Sequence, residues 1–134
     1  MTEFLLDTNI VSDLIRNPQG QIASHVRKVG EGRVATSIVV AAELRYGAEK
    51  KASLRLTRQL EAVLGVLPVL PFETPADEFY GRVRQRLEAL GSPIGSNDLL
   101  IAAHALSLGR TLITDNTREF TRVRGLKVEN WLRI

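Results

Sequence analysis

Phe4-Leu5-Leu6-Asp7-Thr8-Asn9 runs three apolar residues into a carboxylate and two small polar residues. A short apolar run bounded this way reads as a strand buried on both faces, as in a parallel sheet, and Ile10 to Arg16 continues with helical spacing. The acid therefore stands at a strand-to-helix turn. Ligands of open parallel sheets bind in the crevice beyond the carboxyl ends of the strands, so Asp7 occupies a position where function is expected. Capping alone would also explain the triplet, because Asp, Thr and Asn all satisfy free N–H groups at a helix start. Other acids at apolar-flanked places favour a site.

Working outward, Asn17-Pro18 stops the first helix, and Gln21 to Val29 reads as a second, ending at Gly30. His25 falls on its solvated face and is read as a surface residue. Arg33 to Thr36 is a short strand, and Ser37 is a suitable N-cap for a helix from Ile38 to about Lys50. That helix is apolar nearly all round, yet carries Glu43 in its middle. Three and four residues away lie Val39, Val40, Tyr46 and Gly47, so a carboxylate there costs several kcal/mol unless a cation or donors compensate. Pairing with Arg45 or Arg33 is the structural alternative. Leu54 to Leu64 is a further amphipathic helix, and Val66 to Phe72, punctuated by Pro68 and Pro71, fits an edge strand only.

Thr74-Pro75 opens a helix with its core stripe on Ala76, Phe79, Tyr80, Val83, Leu87 and Leu90, which leaves Arg82 and Arg86 facing solvent. The loop Gly91-Ser92-Pro93-Ile94-Gly95-Ser96-Asn97 runs into an almost wholly apolar helix that begins at Asp98, with Ser96 or Asn97 as its cap. His104 in that helix reads as a satisfied, partly buried histidine. Thr111 to Thr114 is the next strand and ends on Asp115-Asn116-Thr117, echoing Asp7-Thr8-Asn9. Phe120 packs back, Leu126 to Val128 is the last strand, and Trp131 closes the core. Alternation of strands and helices with right-handed crossovers gives an α/β fold, a parallel sheet of about five strands with helices on both faces. Asp7 and Asp115 meet only if the first and fourth strands are neighbours, which places the reversal of strand order, and its crevice, between them.

The 134 residues, 44% of them apolar, suffice for one domain spanning 1–134. The chain has no cysteine, so disulfides and thiolate metal sites are excluded. No leader pattern or membrane-length apolar run is present, and a cytoplasmic protein without a membrane partner is expected. Net charge is +3. Setting Asp7, Glu43, Asp98 and Asp115 aside from the 15 acids leaves 18 basic against 11 acidic groups, a basic surface around an acidic hole suited to a polyanion that is cut. Hard oxygen donors without His or Cys point to Mg²⁺ or Mn²⁺, and the chemistry that uses such a cluster is phosphodiester hydrolysis. No Ser lies in a nucleophile elbow.

Leu5-Leu6-Asp7-Thr8-Asn9, Glu43-Leu44-Arg45-Tyr46-Gly47, Pro93-Ile94-Gly95 with Asp98-Leu99-Leu100-Ile101-Ala102-Ala103, Thr114-Asp115-Asn116-Thr117-Arg118-Glu119-Phe120 and Val128-Glu129-Asn130-Trp131 occur in this order. Together they resemble the VapC-type PIN-domain toxins of type II toxin–antitoxin pairs over essentially the whole chain. The resemblance implies a Mg²⁺-dependent endoribonuclease acting on structured RNA such as tRNA or rRNA, inhibited by a cognate antitoxin and usually a homodimer. The family's acids carry over onto Asp7, Glu43 and Asp98, and its fourth acid falls where this chain has Asn116, with Asp115 one place earlier. Asp7, Glu43, Asp98 and Asn116 are thus the expected catalytic residues, and Asp7, Asp98, Glu43 and Asp115 the expected metal ligands. An inactive PIN-like module that binds RNA or a partner is the alternative. A phosphatase of the haloacid dehalogenase type is less favoured, since it needs an acid where Asn9 stands.

Overall fold

The structure is a computed structural model and describes residues 1–133. Five short strands carry it: β1 (Phe4–Leu6), β2 (Val34–Ser37), β3 (Val69–Leu70), β4 (Thr111–Ile113) and β5 (Val128–Glu129). All pair in parallel, in the order β3-β2-β1-β4-β5. β1 is central because its three apolar side chains can be covered on both faces, and Leu5 and Leu6 are fully buried. β3, flanked by Pro68 and Pro71, is confined to an edge.

Among the described residues seven α-helices connect the strands: α1 (Thr8–Arg16), α2 (Gln21–Val29), α3 (Ile38–Lys51), α4 (Leu54–Leu64), α5 (Ala76–Ala89), α6 (Ser96–Leu108) and α7 (Thr117–Phe120). From β1 the chain steps through β2 to β3, then crosses back past β1 to β4 and β5. Right-handed crossovers in opposite directions put α1 to α4 on one face and α5 to α7 on the other. α1 accordingly packs on α2, α3 and α4, while α5 packs on α6. Gly109, in the left-handed region at φ +66°, closes α6 and returns the chain to β4. Trp131 and Phe120 are buried as the sequence indicates. No helix among the described residues is long and apolar enough to cross a membrane.

Two local readings need correction. α6 begins at Ser96 with Gly95 as its N-cap and no side-chain cap, so Asp98 is the third residue of the helix, with Ser96 and Asn97 inside its first turn. Ser and Asn suit a cap and a solvated first turn alike, and the extended backbone of Gly95 decides between them. His25 is half-buried and lies 4.0 Å from the Trp131 ring in a near-parallel stack. A helical face that spacing alone makes solvated is here covered by the end of the chain.

Candidate active site

The reversal of strand order falls between β1 and β4, and the carboxyl ends of these strands carry the site. The Asp7 backbone N–H continues the ladder by donating to the Ile113 carbonyl at 2.9 Å, and its side chain caps α1 through the Thr8 N–H at 2.8 Å. The cap is therefore real, but it uses one oxygen only. Asp7 Oδ2 accepts from Thr114 Oγ1 at 2.7 Å and from Asn9 Nδ2 at 3.4 Å. Burial pushes the Asp7 carboxyl above the ordinary range against these hydrogen bonds, and Glu43 and Glu119 push the same way.

Glu43 reaches the crevice from α3. It makes no ion pair with Arg45 or Arg33: Arg45 pairs with Glu61, and Arg33 donates to the carbonyls of Thr2 and Val29. Its compensation comes from neutral donors, Thr8 Oγ1 on Oε1 at 2.6 Å and Asn97 Nδ2 on Oε2 at 3.3 Å.

Asp98 enters from the first turn of α6, where its carboxyl folds back to within 3.4 Å of where a Cβ on Gly95 would stand. It is pushed up to about 7 by burial, by hydrogen bonding with Glu119, and by the charges of Glu119, Asp7 and Glu43. Glu119 is the other half of that pair. Burial pushes it up, but the Gly95 N–H at 2.9 Å, the Asn116 amide, the Asp98 carboxyl and Arg122 together hold it below the ordinary value. The two carboxyls are pushed in opposite directions, Asp98 up and Glu119 down.

Asp7, Glu43 and Asp98 thus share one crevice, joined by Glu119, to which sequence reasoning gave no role. The signal for Glu119 was its place just before the core residue Phe120, on a four-residue helix that starts four positions past the end of β4. Asn116 lies beside it as an amide donor to Glu119 Oε2. Asp115 faces another way: its Oδ1 accepts from Asn130 Nδ2 and from Arg133 Nε, each at 2.9 Å, and Arg133 holds it below the usual carboxylate range. Thr114 Oγ1 also accepts from the Asn116 N–H at 3.0 Å, and Asn9 Oδ1 accepts from the Asp115 N–H at 2.9 Å. Among the described residues no three His or acidic side chains are drawn together as a ready metal shell, the acids being engaged with one another and with these donors.

The chain is similar in sequence and fold to known proteins. The PIN domain family matches residues 4–126. The chain is 37% identical over 132 residues to a tRNA(fMet)-specific endonuclease VapC from Shigella flexneri, covering 98% of this chain and 99% of that protein. It is 38% identical to ribonuclease VapC2 from Haemophilus influenzae, covering 98% of this chain and all of that one. Among solved structures, VapBC2 from Rickettsia felis bound to a DNA fragment from its promoter superposes with a TM-score of 0.90 at 34% identity, over 97% of this chain and 99% of that chain.

Proposed function

This chain belongs to the VapC family of PIN-domain ribonucleases, and from that premise we propose that it is a Mg²⁺-dependent endoribonuclease that cuts structured RNA of the tRNA or rRNA class, the toxin of a type II toxin–antitoxin pair. The observation that carries this reading is the gathering of the acids at the ends of β1 and β4: Thr8 bonds both Asp7 and Glu43, and Asn97, next to Asp98 in the first turn of α6, bonds the other Glu43 oxygen.

PIN-domain ribonucleases generally depend on a divalent metal. The donor set fits a hard ion of this kind: it is all oxygen and carries four acids, with Arg122 as a nearby cation. Asp7 and Asp98 would hold Mg²⁺, or Mn²⁺ in its place, with Glu43 and Glu119 as the further acids. Such an ion, when bound, supplies Lewis-acid stabilisation of phosphoryl oxygens and acidifies water.

The remaining work falls to the chain. Thr114 and the Thr8 N–H hold Asp7 rigid; Glu43 accepts the proton of the attacking water; the Asn116 amide keeps Glu119 turned into the crevice. Arg122, fixed by one hydrogen bond to the Pro93 carbonyl, leaves its other donors for an RNA phosphate. Asp115 serves as the anchor of the C-terminal segment.

A groove of about 170 Å³ adjoins Glu43 between α1, α3 and α4, with Ile15, Leu44, Leu56 and Leu60 in its wall and Arg16 and Lys51 at its rim. Gly47 also lines it, with open space where a Cβ would stand. An antitoxin segment with an apolar side and a basic residue directed at the acids suits it. The exposed Ile38 and Tyr46 on α3 suit a second copy of the chain in a homodimer. The test is cleavage of a structured RNA by the purified chain. Cutting in Mg²⁺ that stops in EDTA and in Asp7→Asn and Asp98→Asn supports the reading, and undiminished cutting in EDTA overturns it.

A further inference from the structure

Glu43 differs from the other acids of the crevice in how it is held. Asp7 and Glu119 each give one oxygen to a backbone N–H, from Thr8 and Gly95 respectively. Both oxygens of Glu43 instead accept from side chains of other elements, Thr8 at the start of α1 and Asn97 in the first turn of α6. Neither donor has another hydrogen-bond partner for that group among the described residues. Asn97 is exposed and Thr8 half-buried, so packing does not account for them.

Physics gives the arrangement a purpose. Glu43 is half-buried on a helix at the rim of the crevice, its carboxyl carried on three rotatable bonds. The neighbouring Asp7 carboxylate repels it, and solvent lies within reach. Left alone, the carboxylate would swing outward. A Lys or Arg partner would hold it, but would cancel the charge that makes it useful as a proton acceptor or ligand. A hydroxyl and an amide hold it and leave the charge in place. Each carboxylate oxygen keeps a free lone pair beyond the one it gives to its donor.

We infer that Thr8 and Asn97 are positioning residues that act through Glu43, fixing its carboxylate inside the acid cluster. The inference rests on the nuclease reading only in its kinetic arm. The experiment measures kcat and KM on a structured RNA, and Mn²⁺ affinity by titration, for the wild type, Thr8→Val, Thr8→Ser and Asn97→Ala, each also in a Glu43→Ala background. Thr8→Val is expected to lower kcat roughly tenfold with KM held within about twofold, because a hydrogen bond to a charged group is lost while RNA contacts remain. Thr8→Ser, which keeps the hydroxyl, restores the rate, and Asn97→Ala gives a smaller loss in line with its longer bond. Mn²⁺ binds more weakly to Thr8→Val than to the wild type. In the Glu43→Ala background neither substitution lowers activity or Mn²⁺ affinity further, since nothing is left to position. A Thr8→Val protein indistinguishable from the wild type, or losses that add to those of Glu43→Ala, overturns the inference. A wild type that cuts no RNA with any metal overturns the nuclease reading instead, and the Mn²⁺ titrations then decide the positioning role alone.

Discussion

Thr114 Oγ1 donates to Asp7 Oδ2 at 2.7 Å across 107 positions of sequence, tying the end of β4 to the end of β1. The same hydroxyl oxygen accepts from the Asn116 N–H and from Asn9 Nδ2, so one atom sets the geometry of both strand ends. Thr114→Val keeps the shape and removes all three bonds. It is expected to cost about 1 to 3 kcal/mol, because Asp7 is buried and would lose its strongest side-chain donor. Thr114→Ser should retain most of the stability. Urea unfolding of the three proteins checks this, and equal midpoints would contradict it.

Asp98 makes metal-free stability depend on pH in an unusual direction for an acid. Its folded value of about 7 lies above the ordinary 3.8, so the native state holds the proton more tightly than the unfolded chain. The stabilisation is complete below pH 4 and disappears as pH rises through 7. In EDTA, the wild type should lose stability relative to Asp98→Asn between those limits, and the variant should be the more stable of the two at neutral pH. Excess Mg²⁺ narrows or reverses the difference, because a ligand at 100 times its dissociation constant adds about 2.7 kcal/mol to the protein that binds it. About 1 kcal/mol moves the melting temperature by roughly 3 to 5 °C at this chain length, so melting curves resolve the effect. Parallel curves for the two proteins across pH 4 to 7 would show that Asp98 is only a first-turn residue of its helix.

His104 acts in the opposite sense. Burial, with Arg110 adding to it, holds the imidazole below 6.5, and the Pro71 carbonyl and Glu73 oppose this without giving Nε2 a hydrogen bond. Nδ1 lies 2.8 Å from Ser37 Oγ, the N-cap of α3. The unfolded chain takes up the proton that the folded one resists, so this contribution is present above pH 6.5 and is lost as pH falls. The two trends offset each other in the wild type. They separate in variants: Asp98→Asn should show an acid limb below pH 6.5, and adding His104→Gln should flatten it. An acid limb unchanged by His104→Gln would assign it to another group.

Asp115 offers a contrast within the same strand-end motif. Its Oδ1 is shared by Asn130 and Arg133 near the C-terminal end. Asp115→Ala should leave RNA cleavage within about twofold of the wild type, since no reacting group is displaced. Amide exchange over residues 128–133 should quicken. A loss of activity comparable to that of Asp7→Asn would place Asp115 among the ligands.

The strand-and-helix alternation, the central place of Phe4-Leu5-Leu6 and the edge position of the proline-flanked strand were legible because burial on two faces and the missing proline donor are written in local residue types. The adjacency of the first and fourth strands was reached by taking Asp7 and Asp115 to meet in one crevice; the strands are neighbours, but Asp115 itself turns away to Asn130 and Arg133. Glu43 was legible as an anomaly, an acid with apolar neighbours at helical spacing. Its partners were not. Thr8 and Asn97 lie 35 and 54 positions away, and nothing local distinguishes them from ordinary helix-start residues.

What the sequence by itself determined is the fold class, the family motifs and the three acids Asp7, Glu43 and Asp98, because each is set by a residue's nearest neighbours along the chain. Tertiary structure alone decided which groups complete the crevice. Asp115 and Glu119 both follow the fourth strand, and both read as polar residues near a strand end. The four-residue helix α7 turns Glu119 toward Asp98, while Asn130 and Arg133 draw Asp115 toward the C-terminal segment. Side-chain direction after a strand depends on how the next turn packs, and that packing is fixed by Phe120 and Trp131 entering a core assembled from the whole chain.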